Sequence, residues 1–579
     1  MTNVSNPDAS AAAQPRAGGL KFSQAVTVFC AGLGVRLWLV HVFPVIFGGD
    51  SIVRLANQDR ILLSYQLPLL QAIIHGLSTL SNDPLAVRYF MAFAGALAGL
   101  AFYAMACSLL GRRAGFQSAL LFTSSPFVIA FSIVPYQEIL MLAGLFASFY
   151  FAFERKWIAA GVTLGLACLT RYEAWLACPV LAIAFLIEKG FRPLEIARAA
   201  LLFGWAPLSW MAFHGGVTPQ GTYAAEAAFS LERFFRYVYL AWITVKNTPP
   251  PVLLLAFFGG WLFWKRRLIA DRRYRLLGCF LLLFLAAILL SAHGERDQPE
   301  RFVTAREAHV LLAAVVLAAG AGLARFDSRQ AEAEVRAGAE GRAEGRAEAE
   351  AEDKAKGKVQ KAKEKREEAD GGEEGAEDET NGTGLGALIR PWYGWVFVLA
   401  GCVAGLWMAY GFVANETSQP PFALSYEVAR YLDEHVQTGE SAVVLAQPVP
   451  SDLLRRYLDK AAQSAGRAGR DEALAVLLDM DTSPPNYQRI LVHSRLTKQQ
   501  LRSVSSLPAD LVPSHEPLLP SPDWLVLWSD FLPTNEAEQN LGQATTGLEP
   551  KQTFERDGLR VAIYRLRQVI LSPGRGDPN

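Results

Sequence analysis

Apolar runs about 20 residues long recur through residues 22–325 of this chain, and nothing constrains its fold more. A run of that length spans roughly 30 Å of hydrocarbon as a helix, and a soluble domain has no place to hide so many of them. Eleven runs read as spans: 23–43, 87–110, 116–134, 138–153, 157–170, 174–187, 197–213, 250–264, 276–292, 308–324 and 393–413. The fourth to sixth are short for a full crossing, which predicts tilt or partial entry. The polar stretch 1–21 is followed by no small-residue cleavage site after the first run, so that run reads as a retained span, not a leader.

Lysines and arginines sort by connection. Arg112-Arg113, Arg155-Lys156, Lys189 with Arg192, and Lys265-Arg266-Arg267 with Arg272, Arg273 and Arg275 fall on alternate loops. The positive-inside rule makes these cytoplasmic. The opposite connections, 44–86, 135–137, 171–173, 214–249 and 293–307, then face outward, as does 415–579. Total charge is balanced, with 55 Lys+Arg against 55 Asp+Glu, so no basic surface argues for nucleic acid. All six cysteines lie in apolar runs and read as small buried hydrophobes.

The predicted architecture is an α-helical polytopic membrane bundle of about eleven transmembrane helices with a C-terminal soluble α/β domain. Residues 1–21 form a cytoplasmic tail and 22–325 a membrane module. Its first outer loop, 44–86, reads as two interfacial amphipathic helices broken near Gln66-Leu67-Pro68. Residues 326–390 form a charged cytoplasmic linker, low in complexity over 327–384, which cannot bury apolar surface. Residues 391–414 form the last span and 415–579 the outer domain. That domain has a helix over 425–436, strands at 442–446 and 524–528, and a hairpin over 554–566 turning at Asp557-Gly558.

Polar residues near a bilayer need a reason to be there. Asp50 follows Gly48-Gly49 at the outer end of the first span, where a partly desolvated carboxylate suits a base; it is equally suited to cap a helix starting at Ser51. Glu138 and Glu173 open spans on the same side, where a first-turn acid also complements the helix dipole. Arg171 offers a fork of donors for phosphate, or pairs with Glu173. The loop 293–307 brings His293, Arg301 and Arg306, followed by His309; a solvated loop of mixed charge is its plainer reading. Arg36 interrupts the first span and reads as a cation paired inside the bundle.

These residues resemble those of the GT-C superfamily of integral membrane glycosyltransferases, in particular the branch related to protein O-mannosyltransferases and aminoarabinose transferases. Several elements carry the likeness over about 22–325. They are Gly49-Asp50-Ser51 opening the first loop, the 111–115 turn with Ser125-Pro126, Tyr136-Gln137-Glu138, the run from Gly165 through Thr170-Arg171-Tyr172-Glu173 to Trp175, and Arg301-Phe302. The resemblance implies an inverting transfer of a sugar from a polyprenyl-phosphate donor to a hydroxyl of a lipid, glycan or protein acceptor. Asp50 would be the base. Arg301, then Arg171, His293 and Arg306, would hold the phosphate. Some members use a divalent metal, which Glu138 or Glu173 could help to bind. The implied location is a bacterial inner membrane, with the site facing outward. Many members carry two adjacent acids in the first loop; here Ser51 follows Asp50, and the next acid is Asp59. A flippase of lipid-linked sugars or a non-catalytic assembly protein are the competing readings. The absence of an internal repeat counts against the first, and the lack of a binding signature in the outer domain against the second.

Overall fold

The computed structural model describes residues 20–63, 66–81, 83–213, 232–266, 271–290, 308–324, 385–437, 440–445, 485–496, 500–504, 524–528, 550–557 and 559–565. The linker 327–384 and the loop with His293, Arg301 and Arg306 lie outside them.

The described residues of the membrane part fold mainly as helices. In order, α1 is Phe22–Val42, α2 Gly49–Ala56, α3 Pro68–Ser78, α4 Pro84–Leu110, α5 Arg112–Thr123, α6 Pro126–Ala130, α7 Glu138–Phe153 and α8 Trp157–Cys168. A 3-10 turn, Tyr172–Leu176, leads to α9, Ala177–Lys189. Then come α10 Pro193–Phe213, α11 Glu232–Lys246, α12 Pro250–Arg266, α13 Arg272–Leu290, α14 Ala308–Ala324 and α15 Leu385–Ser418. By length and composition alone, four helices among the described residues can cross a membrane: Phe22–Val42, Pro84–Leu110, Pro193–Phe213 and Gly394–Ser418. Four shorter apolar helices accompany them. The chain is an integral membrane protein.

Two elements differ from the sequence expectation. The run 116–134 is not one helix. Pro126 lacks an amide hydrogen and biases Ser125 to extended backbone, so α5 stops at Thr123 and a short α6 follows. Within 214–249, read only as a loop, α11 forms an amphipathic helix with Val238, Trp242 and Val245 exposed.

The basic connections gather at one end. Arg272 Nη1 lies 2.8 Å from Glu188 Oε2, and Arg155 Nε 3.7 Å from the same oxygen. Arg273 donates to the Ser108 carbonyl, and the Tyr274 hydroxyl donates to that of Leu109 at 2.9 Å. Glu138 begins α7 and Arg155 follows its last turn, so the acid-bearing connections lie at the other end, about 24 Å away at 1.5 Å per residue.

Arg36 is fully buried in α1. Its Nε donates to Ser132 Oγ at 2.6 Å, and its other nitrogens donate to the carbonyls of Gly32, Thr123 and Val128. A charge in hydrocarbon survives only with such saturation. Space for it comes from Gly95 of α4. A Cβ there would lie 2.5 Å from Ser132 Cβ and 2.8 Å from its Oγ. Cys168 and Cys178 place their sulfurs 3.5 Å apart, and all six cysteines are free thiols.

Beyond α15, α16 (Pro420–His435) and α17 (Pro485–His493) pack with a five-stranded sheet of order β2-β1-β3-β5-β4. The strands are β1 Ala442–Leu445, β2 Leu501–Val504, β3 Trp524–Trp528, β4 Gln552–Arg556 and β5 Leu559–Arg565. β1 pairs parallel with β2 and β3; β3–β5 and β4–β5 are antiparallel. The hairpin turns at Asp557, φ 47°, as the Asp-Gly signal predicts. Leu424, Val428, Leu432, Val444, Ile490, Val526 and Ile563 form a core separate from that of the membrane helices.

Gly95→Leu overpacks the Arg36–Ser132 contact and should lower stability by about 1–3 kcal/mol. Gly34→Leu meets nothing within 4 Å and should leave it unchanged. Thermal unfolding in detergent checks the pair; equal melting temperatures would sink the packing argument.

Candidate active site

The chain leaves α1 through residues 43–48 and re-enters a helix at Gly49. Arg88, near the start of α4 and 2% exposed, holds this turn. Its Nη2 donates to the Phe43 carbonyl at 2.7 Å, Nη1 to that of Pro44 at 3.0 Å, and Nε to that of Ile133 at 2.9 Å. One guanidinium thereby ties the exit of α1 to the segment leading into Tyr136-Gln137-Glu138.

Gly48 has φ 85°, and a Cβ on it would collide with the Tyr136 hydroxyl. Glycine is required twice over there, for backbone and for space. Gly48 is also the N-cap of α2, so Asp50 is not the cap of a helix starting at Ser51. It lies half-buried in the first turn, where backbone N–H groups favour a carboxylate. At the far end of α2, Arg54 Nη2 donates to Gln137 Oε1. Contacts at Gly48 and Arg54 bracket Asp50, which lays α2 along 136–137.

The first loop does contain two short helices with the break before Pro68. Ile61 and Leu62 lie beyond the end of the first of these helices and are 46% and 40% exposed. Gln71 Nε2 of α3 donates to the carbonyls of Arg54 (3.1 Å) and Asn57 (2.8 Å), closing the end of α2. The Leu69 amide donates to the Leu169 carbonyl at 3.0 Å, which fixes α3 beside Thr170-Arg171.

Arg171 joins the two acids. Its Nε donates to Glu173 Oε2 at 2.9 Å and its Nη2 to Glu173 Oε1; its Nη1 donates to Glu138 Oε1. Glu138 is fully buried. Burial alone would raise the Glu173 carboxyl, but Arg171 outweighs it, with a smaller contribution from His309, and holds the carboxyl down at about 2. His309, 2% exposed, therefore brings the start of α14 to this cluster. The Arg171 guanidinium lies between Glu138 and Glu173 and donates to both. Among the described residues no group of three or more His, Cys, Asp or Glu is arranged to hold a metal ion.

The structure thus brings Asp50, Glu138, Arg171 and Glu173 to one end of the bundle. Arg36 belongs to the packing of α1 and α4. Arg54 and Arg88 escaped the sequence reading of the site. Arg54 follows Asp50 by four residues, hence on the same helix face, and Arg88 is a charge at the head of an apolar run; both signals were present.

A carboxylate held at about 2 against 4.5 when unfolded contributes stability that is complete above about 4.5 and lost as pH falls toward 2. Glu173→Gln should accordingly lower the melting temperature by a constant amount from pH 5 to 8, and by less as pH drops below 4.5. A gap that persists unchanged to pH 3 would contradict the Arg171–Glu173 assignment.

Residues 66–209 match the family model of dolichyl-phosphate-mannose-protein mannosyltransferase. No curated protein matches the chain in sequence. The chain is similar to the crystal structure of ArnT from Cupriavidus metallidurans bound to undecaprenyl phosphate, at 14% identity and TM-score 0.45 over 93% of this chain and 96% of that one. The apo-state structure of the same protein gives 13% identity and TM-score 0.46 over the same shares. The stretch that matches this family model carries Arg88, Glu138, Arg171 and Glu173, in keeping with the GT-C resemblance read from the chain.

Proposed function

We propose that this membrane glycosyltransferase moves a sugar from a polyprenyl-phosphate donor to an acceptor hydroxyl with inversion, at the membrane face where Asp50 lies, and that this face is the outer one. The observation that carries the reading is the anchoring of the Asp50 turn by Arg88 and Tyr136, against the segment where the family match lies. A base must be held still, with one side open to its substrate, and Asp50 is half-buried at a turn secured on both flanks.

Asp50 takes the proton of the acceptor hydroxyl. The oxygen forms a bond to the anomeric carbon as the bond from that carbon to the phosphate oxygen breaks on the opposite face. The bonding pair leaves with the polyprenyl phosphate. Phosphate is a good leaving group, so fixed cations suffice in place of a strong acid. Arg301 is the first candidate, with His293 and Arg306; all three lie outside the described residues. Arg171 is committed to Glu138 and Glu173, and its part is to hold the two acids in place and to keep the Glu173 carboxyl charged.

Asp50→Asn should insert, fold and bind donor normally while transfer falls by about 10²–10⁴-fold, the usual worth of a general base. The assay is the loss of labelled polyprenyl-phosphate sugar in membranes. Wild-type turnover in that variant would remove Asp50 from the chemistry, and a flippase would retain its activity with the change.

A further inference from the structure

The turn that delivers Asp50 has a third support, and it comes from the far end of the chain. The backbone N–H of Ile46, a buried residue four before Asp50, donates to Nε2 of His493 at 2.8 Å. His493 ends α17, on the soluble side of the structure, 447 residues away in sequence. Its Nδ1 lies 2.7 Å from the Arg489 carbonyl. A carbonyl only accepts and an amide only donates. Nδ1 therefore carries the hydrogen, Nε2 holds the lone pair, and the ring is neutral.

Three groups surround the imidazole. The Tyr426 ring of α16 meets it edge-on at 5.7 Å. Arg88 of α4 repels positive charge on it. The Arg489 side chain turns away, over the Phe422 ring at 5.2 Å. Desolvation, opposed by the Arg489 carbonyl and aided by Arg88, pushes the ring pKa down to about 4, in agreement with the tautomer that the partners dictate. α17 packs along α2 itself, so the contact is a seam and not a lone bond.

We propose that His493 is a positioning residue: the outer domain supplies, through its neutral Nε2, the acceptor that fixes the Ile46–Asp50 turn for transfer. Arg88 holds the carbonyls at 43 and 44, Tyr136 abuts Gly48, and His493 satisfies the amide between them. Without that acceptor a buried donor is left unmet, and the turn gains freedom to shift toward water. The outer domain is then part of the catalytic scaffold. This rests on the reading of Asp50 as the base.

The test uses the full chain in membranes, with kcat and KM measured for the polyprenyl-phosphate sugar. His493→Phe keeps the ring volume and the Tyr426 contact but loses the acceptor. It should lower kcat roughly tenfold, since small misplacements of a reacting group are costly, with KM unchanged. His493→Gln places an oxygen near the position of Nε2 and should restore kcat to within about threefold of wild type. Wild-type kcat in the Phe variant, equal loss in both, or a loss confined to KM would overturn the proposal. Should the Phe variant not fold, His493→Asn replaces it. Its oxygen stands near the Nδ1 position and cannot reach Ile46, so Asn slower than Gln supports the proposal and equal rates overturn it. Full activity in Asp50→Asn sinks the base reading by itself, whatever the His493 series gives.

Discussion

A buried guanidinium is what the rest of the site depends on. Arg88 is buried away from water, so each donor must find a protein acceptor or the charge is not tolerated. It finds Phe43, Pro44 and Ile133. Those carbonyls are free to accept because the chain is between helices at these points, with no i+4 amide to claim them. The irregular backbone and the buried charge satisfy each other. The short helix bearing Asp50 and the segment bearing Glu138 consequently meet at a fixed distance from α4. Arg171 repeats the arrangement one connection later, with carboxylates in place of carbonyls.

Much of this was legible in the sequence. Apolar run length locates the helices of the bundle, since hydrocarbon thickness sets a lower bound that few other structures satisfy. Alternation of basic loops puts Asp50, Glu138 and Glu173 on one side, and the same alternation is seen in the gathering of Arg155, Arg272 and Arg273 at the opposite end. The break of the third run at Ser125-Pro126 could have been read from the proline, but hydropathy does not register a missing amide hydrogen. Arg171 in contact with Glu173, the plainer of its two sequence readings, is what the structure contains.

The partnerships over long separations were not legible. No local pattern links Ile46 to His493, or Arg54 to Gln137, because three-dimensional closeness there arises from helix packing and not from spacing. The role of Gly48 was half visible. A glycine pair before an acid announces a turn, whereas the collision that forbids a side chain comes from Tyr136, 88 residues on. Asp50 was singled out as a base or a helix cap, and the structure places it two positions further into the helix than a cap would stand. Helix starts are read from caps, and a glycine with positive φ did the capping.

Between the membrane bundle and the five-stranded sheet runs α15, 34 residues without interruption, or about 51 Å at 1.5 Å per residue. Val396, Leu399, Val403, Trp407 and Tyr410 form its exposed apolar stripe, which ends about 12 Å short of Ser418. The helix therefore acts as a rigid axle joining the bundle to the sheet. Adding or deleting a single residue between Tyr410 and Ser418 would turn everything beyond it by about 100°. The imidazole on α17 would then face away from the α1 exit. A change in chain length within α15 therefore reaches the site through the register of the helix, so its residue count is part of the active-site geometry.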